Sequence, residues 1–324
     1  MSQGELLVPY PWHAAQWREL DALLRAGTLP HALLLAGAPD IGKFHFARAF
    51  ASLVLCAEPH GSACGRCRNC QLIAAGSHPD LVLLQPEEPG KAIRIDAIRE
   101  LREFCAGRPH QGGWRVILIE PAEALNANAA NALLKTLEEP GERTLLILVS
   151  HQPGRLAATV RSRCRLLRLP TPSIAQALPW LRTQLPGETD TESLLVRAGR
   201  RPLRALVLAS GDLAGTFARL QELISAVADG SMVPAAAAAV TASGHFDTGE
   251  ALGWLTDFVA ARVRATIARG ERPPRALFDF FDRLATVRRE HVANANLNAE
   301  LAWGEVWQDW RRAAVAAEPA QRLC

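Results

Sequence analysis

The first half of the chain alternates short apolar runs with longer helical patterns, and this alternation limits the possible folds more than any other feature. Runs at 32–36, 80–84, 115–119, 144–149 and 164–169 are dominated by Leu, Ile and Val. Helical stretches at 43–55, 95–106, 126–138 and 155–161 lie between them. Strands that are apolar along their whole length are buried on both faces. When helices separate such strands, they form βαβ units and a parallel sheet. The stretch 126–138 has the clearest signals. Asn126 can cap it, Ala130, Leu133, Leu134 and Leu137 share one face, and Pro140-Gly141 ends it.

Beyond Leu169 the pattern changes. Pro170, Pro172 and Pro179 punctuate a boundary, and no later run reads as a strand. A small helical unit is expected at 172–210. Helices are expected near 213–229, 249–269, 275–292 and 298–316, with Gly270-Glu-Arg-Pro-Pro as a connector, because paired prolines cannot continue a helix. Trp303, Trp307 and Trp310 fall on one helical face, a pattern of core or subunit packing and not of base stacking. The fold class is therefore α/β followed by all-α, and 324 residues suit two or three domains.

Bulk composition excludes several classes of function. Hydrophobic residues make up 49% and charged residues 21%, which argues against a disordered chain. A net charge of +3 argues against coating nucleic acid by electrostatics alone. The longest aliphatic stretch, Ala235 to Val240, is far short of a membrane span, and Met-Ser-Gln-Gly-Glu does not resemble a secretory signal. A cytoplasmic protein without a membrane partner is expected.

Two motifs carry chemistry. The first, Gly37-Ala-Pro-Asp-Ile-Gly42-Lys43-Phe44, sits at a strand-to-helix turn where a phosphate loop belongs. In such a loop, backbone N–H groups face phosphate oxygens and the lysine adds charge. Phe44 replaces the Ser or Thr whose hydroxyl helps to hold Mg²⁺. At the end of the 115–119 strand, Glu120 is followed by Pro121, which cannot orient attacking water. Gly37, Gly42 and Lys43 thus form a degenerate loop, and neither binding nor hydrolysis of ATP by this chain is expected.

The second motif is Cys56, Cys64, Cys67 and Cys70, within a segment at about 56–79. Two-residue spacers let thiolates converge on one ion, and four thiolates are the usual structural zinc set. An iron–sulfur cluster is the rival, although no Cys-Pro follows the run. His60 and His78 are alternative ligands, but beside a complete set of four thiolates they are expected to be ordinary surface residues. Cys105 and Cys324 receive no role.

An arginine-dense stretch follows: Arg155, Arg161, Arg163, Arg165 and Arg168. Arg163, in Ser162-Arg163-Cys164 just before the last strand, can present a planar charged fork to a phosphate held elsewhere.

Together with Tyr10-Pro-Trp12, Ser77-His-Pro-Asp80 and Asn131-Ala-Leu-Leu-Lys-Thr-Leu-Glu-Glu-Pro140, these motifs resemble the delta-prime family of bacterial DNA polymerase III clamp-loader subunits, within the AAA+ superfamily. The resemblance runs to about residue 210. It implies a RecA-like AAA+ parallel-sheet domain with a zinc knuckle at 1–170, a small helical lid at 171–212 and a helical collar domain at 213–324. It also implies a ring with the gamma/tau ATPase subunits and the delta subunit, reaching the beta sliding clamp and primed DNA through the complex. In this family the Ser-Arg-Cys arginine, here Arg163, acts as an arginine finger on a neighbour's ATP site. The DNA polymerase activity belongs to the complex. Where lid arginines of active relatives sense nucleotide, Pro202 falls among Arg200, Arg201 and Arg204. The alternatives are an active P-loop ATPase using Lys43 and Glu120, and a zinc-dependent DNA-binding module.

Overall fold

A computed structural model describes residues 8–317, apart from 89, 112, 189, 244–245 and 293–297. Five strands form one sheet: β1 (Ala32–Ala36), β2 (Leu81–Leu84), β3 (Arg115–Ile119), β4 (Thr144–Ser150) and β5 (Arg165–Arg168). Their order is β2-β3-β4-β1-β5, and every pairing is parallel. The register aligns Ala32 with Leu146 and Arg115 with Thr144.

Strand alternation divides the apolar residues between two cores, one on each face. Leu33, Leu35, Val116, Leu118, Ile147 and Val149 pack on one face with Phe46, Phe50 and Leu53. Leu34, Ile117, Ile119, Leu146 and Leu148 pack on the other with Ile98, Leu133 and Leu137. Helix α1 (Ala14–Arg25) precedes the sheet, and the helices between strands are α2 (Lys43–Leu55), α3 (Arg68–Ala74), α4 (Ile95–Ala106), α5 (Ala127–Glu138) and α6 (Ala158–Arg161). Burial on both faces explains why β1 is apolar throughout and why only the end residues Arg115, Thr144 and Ser150 of β3 and β4 are polar. The edge strands β2 and β5 are more exposed.

The remaining helices are α7 (Ile174–Gln184), α8 (Thr191–Arg197), α9 (Pro202–Ala209), α10 (Gly211–Asp229), α11 (Pro234–Ala242), α12 (Thr248–Ala268), α13 (Arg275–Val292) and α14 (Ala299–Ala317). The chain forms two compact units: residues 1–180 with 201–203, and residues 181–200 with 204–324. The second unit has its own core, where Trp303, Trp307 and Trp310 are buried. Trp307 Nε1 donates to Thr241 Oγ1 at 3.2 Å and Trp310 Nε1 to the Ile224 carbonyl at 2.9 Å, so the tryptophan stripe is core.

Two expectations are corrected, and three helices are added. The helix anticipated at 155–161 is only α6, preceded by a 3₁₀ turn at Pro153–Arg155. Helices α1, α3 and α11 were not anticipated from the pattern. His78 is no surface residue: it is 5% exposed, and its Nδ1 accepts from the Asp80 N–H at 3.1 Å. Cys324 lies outside the described residues.

Candidate functional site

The phosphate-loop segment leaves β1 and enters α2 at Lys43, with Gly42 as N-cap at φ 89°. Its glycines are demanded by neighbouring protein atoms. A Cβ on Gly37 would overlap the Leu169 carbonyl oxygen, and one on Gly42 would overlap the Tyr10 ring. That ring stacks on Trp12 at 4.8 Å and on His45 at 4.4 Å, and meets Trp180 edge-on. Trp12 Nε1 donates to the Ile41 carbonyl at 2.9 Å, anchoring the aromatic group to the loop.

Lys43 is 2% exposed, and its ammonium donates to the Ala38 carbonyl, inside its own loop, at 2.6 Å. Burial lowers its pKa to about 8, against the opposing pull of Glu123, Asp40 and Glu120. Those carboxylates have partners of their own. Glu120 accepts from Gln85 Nε2 at 2.8 Å and lies 3.6 Å from His151 Nε2, and these contacts with His151 leading hold its carboxyl below the usual range. Glu123 accepts from the His151 and Gln152 N–H groups at 2.9 and 3.1 Å, so it braces the turn after β4. Phe44 is partly buried against the α2 side of the core. Asp40 pairs with Arg201 at 3.8 Å, and Pro202 opens α9. His13 is fully buried beside this group, and burial, with His45 and Lys43, pushes its pKa down to about 3.

The four cysteines converge. Cys56 follows α2, and the Cys67 side chain caps α3 by accepting from the Cys70 N–H. The Sγ separations are 3.7 Å for Cys56–Cys70, 3.9 Å for Cys56–Cys67 and 4.0 Å for Cys64–Cys70, and all four sulfurs lie within 4.8 Å of one another. Four thiolates about 2.3 Å from one tetrahedral ion are spaced by about 3.8 Å, so the cysteines fit a single metal ion. Backbone N–H groups of Cys64 and Cys67 point at the Cys56 and Cys64 sulfurs at 3.2 and 3.3 Å. These contacts favour thiolate character. Trp17 Nε1 donating to the Gly61 carbonyl at 2.8 Å and Asn69 Nδ2 donating to the Leu55 carbonyl at 2.7 Å fasten the knuckle to α1 and α2.

Arg163 lies just after α6, and its side chain is 36% exposed. Its Nε and Nη2 meet the same oxygen, Glu138 Oε1, at 2.9 and 2.5 Å. Nη1 donates to the Thr159 carbonyl at 3.0 Å. Glu138 ends α5, which Asn126 caps by accepting from the Ala129 N–H at 2.8 Å. Within the same arginine-dense stretch, Arg165 pairs with Glu19 at 2.8 Å and Arg161 donates to the Pro153 carbonyl. Cys164 is partly buried, which raises its thiol to about 11.

A family model described as "DNA polymerase III, delta subunit" matches residues 12–173, half of the chain. The DNA polymerase III subunit delta' of Pseudomonas aeruginosa is 47% identical over 199 residues, covering 60% of each chain. The chain belongs to the DNA polymerase III delta-prime family. The delta' of Escherichia coli is 40% identical over 206 residues, covering 63% of this chain and 61% of that one. The matched stretch thus spans about 60% of the length of these family members. The DNA polymerase III subunit tau/gamma of Haemophilus influenzae is 33% identical over 189 residues, covering 56% of this chain and 27% of the relative. The family match contains the loop, the cysteine group and Arg163 together.

Three features of this site were not legible in the sequence: the Tyr10 ring over Gly42, the Glu138 carboxylate on Arg163, and the buried Asp80. Asp80 accepts from the His110 and Gln111 N–H groups at 2.8 and 3.0 Å. Tyr10, Asp80 and Glu138 all stand inside the quoted motifs, which is the signal that could have drawn attention to them.

Proposed function

We propose that this chain is a non-hydrolysing subunit of a DNA polymerase III clamp loader and lends Arg163 to the ATP site of a neighbouring ATPase subunit. The observation that carries this reading is the closed phosphate loop, in which Lys43 bonds to Ala38 and the Tyr10 ring fills the space beside Gly42. A loop satisfied by its own chain offers little to a nucleotide, and Phe44 and Pro121 remove the groups that would hold Mg²⁺ or orient water. Gly37, Gly42 and Lys43 then keep the shape of the loop and not its catalysis.

Arg163 supplies what such a chain can still contribute. A guanidinium placed against a neighbour's ATP stabilises the charge spread over the transferred phosphoryl group, an effect worth about 10³–10⁵ in rate where fingers have been measured. The organisation proposed with it is an AAA+ domain at 1–170, a lid at 171–212 and a collar at 213–324 that joins a ring. The partners are the gamma/tau and delta subunits, with the beta clamp and primed DNA engaged through the complex in the cytoplasm. Cys56, Cys64, Cys67 and Cys70 would hold a structural Zn²⁺, which cross-links the knuckle when bound.

The isolated chain should show no ATP turnover. Robust turnover that is abolished by Lys43→Ala would overturn this reading in favour of an active ATPase using Lys43 and Glu120.

A further inference from the structure

We propose that Glu138 is the positioning residue for Arg163, fixing the guanidinium so that its remaining donors face a phosphate on another chain. This inference rests on the reading of Arg163 as a finger. An arginine side chain is long and flexible, but its head is a rigid fork of five N–H donors. Here Nε and Nη2 converge on one oxygen of Glu138, while Nη1 takes the Thr159 carbonyl. Three donors anchor the fork, two remain, and the side chain keeps 36% of its exposure.

The anchors are themselves held firmly. Glu138 is the last residue of α5 and Thr159 lies in α6. Leu133, Leu137 and Val160, from these two helices, are buried in one core against the sheet. The fork is therefore referenced to the sheet through two helices and does not depend on its own flexible stem.

Stabilisation of the fold does not explain this pair. The Glu138 side chain is 52% exposed, and pairs this exposed add little to stability. Water also screens the Glu138 charge, so orientation is gained with little loss of the field that the arginine projects. A transferring phosphoryl group is sensitive to such placement, because an error of about 1 Å can cost as much as 10²-fold in rate.

The test is DNA-stimulated ATPase of the full reconstituted clamp loader carrying Glu138→Ala, Glu138→Gln or Arg163→Ala in this subunit. Glu138→Ala should lower kcat by roughly three- to ten-fold, leaving the KM for ATP and the thermal midpoint unchanged. Glu138→Gln, which keeps an acceptor oxygen in place, should recover most of the loss. If Arg163→Ala depresses turnover and Glu138→Ala does not, the positioning role falls while the finger stands. If Arg163→Ala changes nothing, the finger reading falls and the inference with it. A second measurement needs no partner. The Arg163 Nε–H resonance should be protected from exchange in the isolated wild-type chain and lost in Glu138→Ala; an unprotected wild-type resonance overturns the proposal.

Discussion

The Arg163 guanidinium rests on the Glu138 carboxylate, with Nε at 2.9 Å and Nη2 at 2.5 Å from the same oxygen. This contact joins the Leu-Leu-Lys-Thr-Leu-Glu-Glu-Pro run to the Ser-Arg-Cys tripeptide, which lie 25 residues apart. The pair precedes β4 and β5, whereas at the opposite, C-terminal edge of these parallel strands Lys43 turns back onto its own loop at Ala38. One cation is thus held toward the surface while the other is kept inside.

Closure of the loop by Tyr10 can be tested by packing. At Gly42 a methyl group would meet the Tyr10 ring, and φ is 89°. Gly42→Ala should therefore destabilise the chain by two separate costs, a ring clash and a backbone strain of about 1–2 kcal/mol. Adding Tyr10→Ala should relieve only the first. Chemical denaturation of the two single variants and the double variant should give a clearly non-additive cycle; simple additivity would mean that the ring does not constrain this glycine.

The buried ammonium of Lys43 has a pH signature. Its pKa in the folded chain is about 8, against an ordinary 10.5. Between these values the unfolded chain binds the proton and the folded chain does not, so this group makes stability rise with pH across that window. Below about pH 8 both states carry the charge, and the folded state bears the full cost of burying it. Lys43→Met should therefore gain most relative to wild type near pH 7, with the gap narrowing toward pH 10. Thermal unfolding at intervals over that range measures it. A gap independent of pH would show that the ammonium is not desolvated.

The cysteine group should bind one metal ion per chain. Elemental analysis of the purified protein should give about one zinc, falling to near zero for Cys70→Ser. Because Trp17 bonds to Gly61 within the knuckle, chelation should also change its fluorescence. A brown protein containing iron would contradict the zinc assignment.

Much of the first unit was legible because its signals are local. The strands β1 and β3 fall at 32–36 and 115–119 as their apolar runs suggest, and α2 and α4 match their expected bounds. Two-residue spacers likewise bring Cys64, Cys67 and Cys70 together by local geometry, and Cys56 joins them from the end of α2. The rest lacks a sequence period or depends on tertiary contact. Helix α11 is mostly alanine, so it has no polar face to reveal itself, and α3 spans only seven residues, Cys70 among them. Tyr10 reaches Gly42 across 32 positions, and Glu138 reaches Arg163 across 25, contacts that no spacing encodes.

The central claim is that this chain completes an ATP site on a neighbour while hydrolysing nothing itself. Its most direct test is DNA-stimulated ATPase of the reconstituted clamp loader containing Arg163→Ala, with assembly checked by gel filtration. The expected result is an intact complex with turnover at the affected site reduced by at least about 10³-fold, the lower range for a lost finger. An intact complex with unchanged turnover would contradict it.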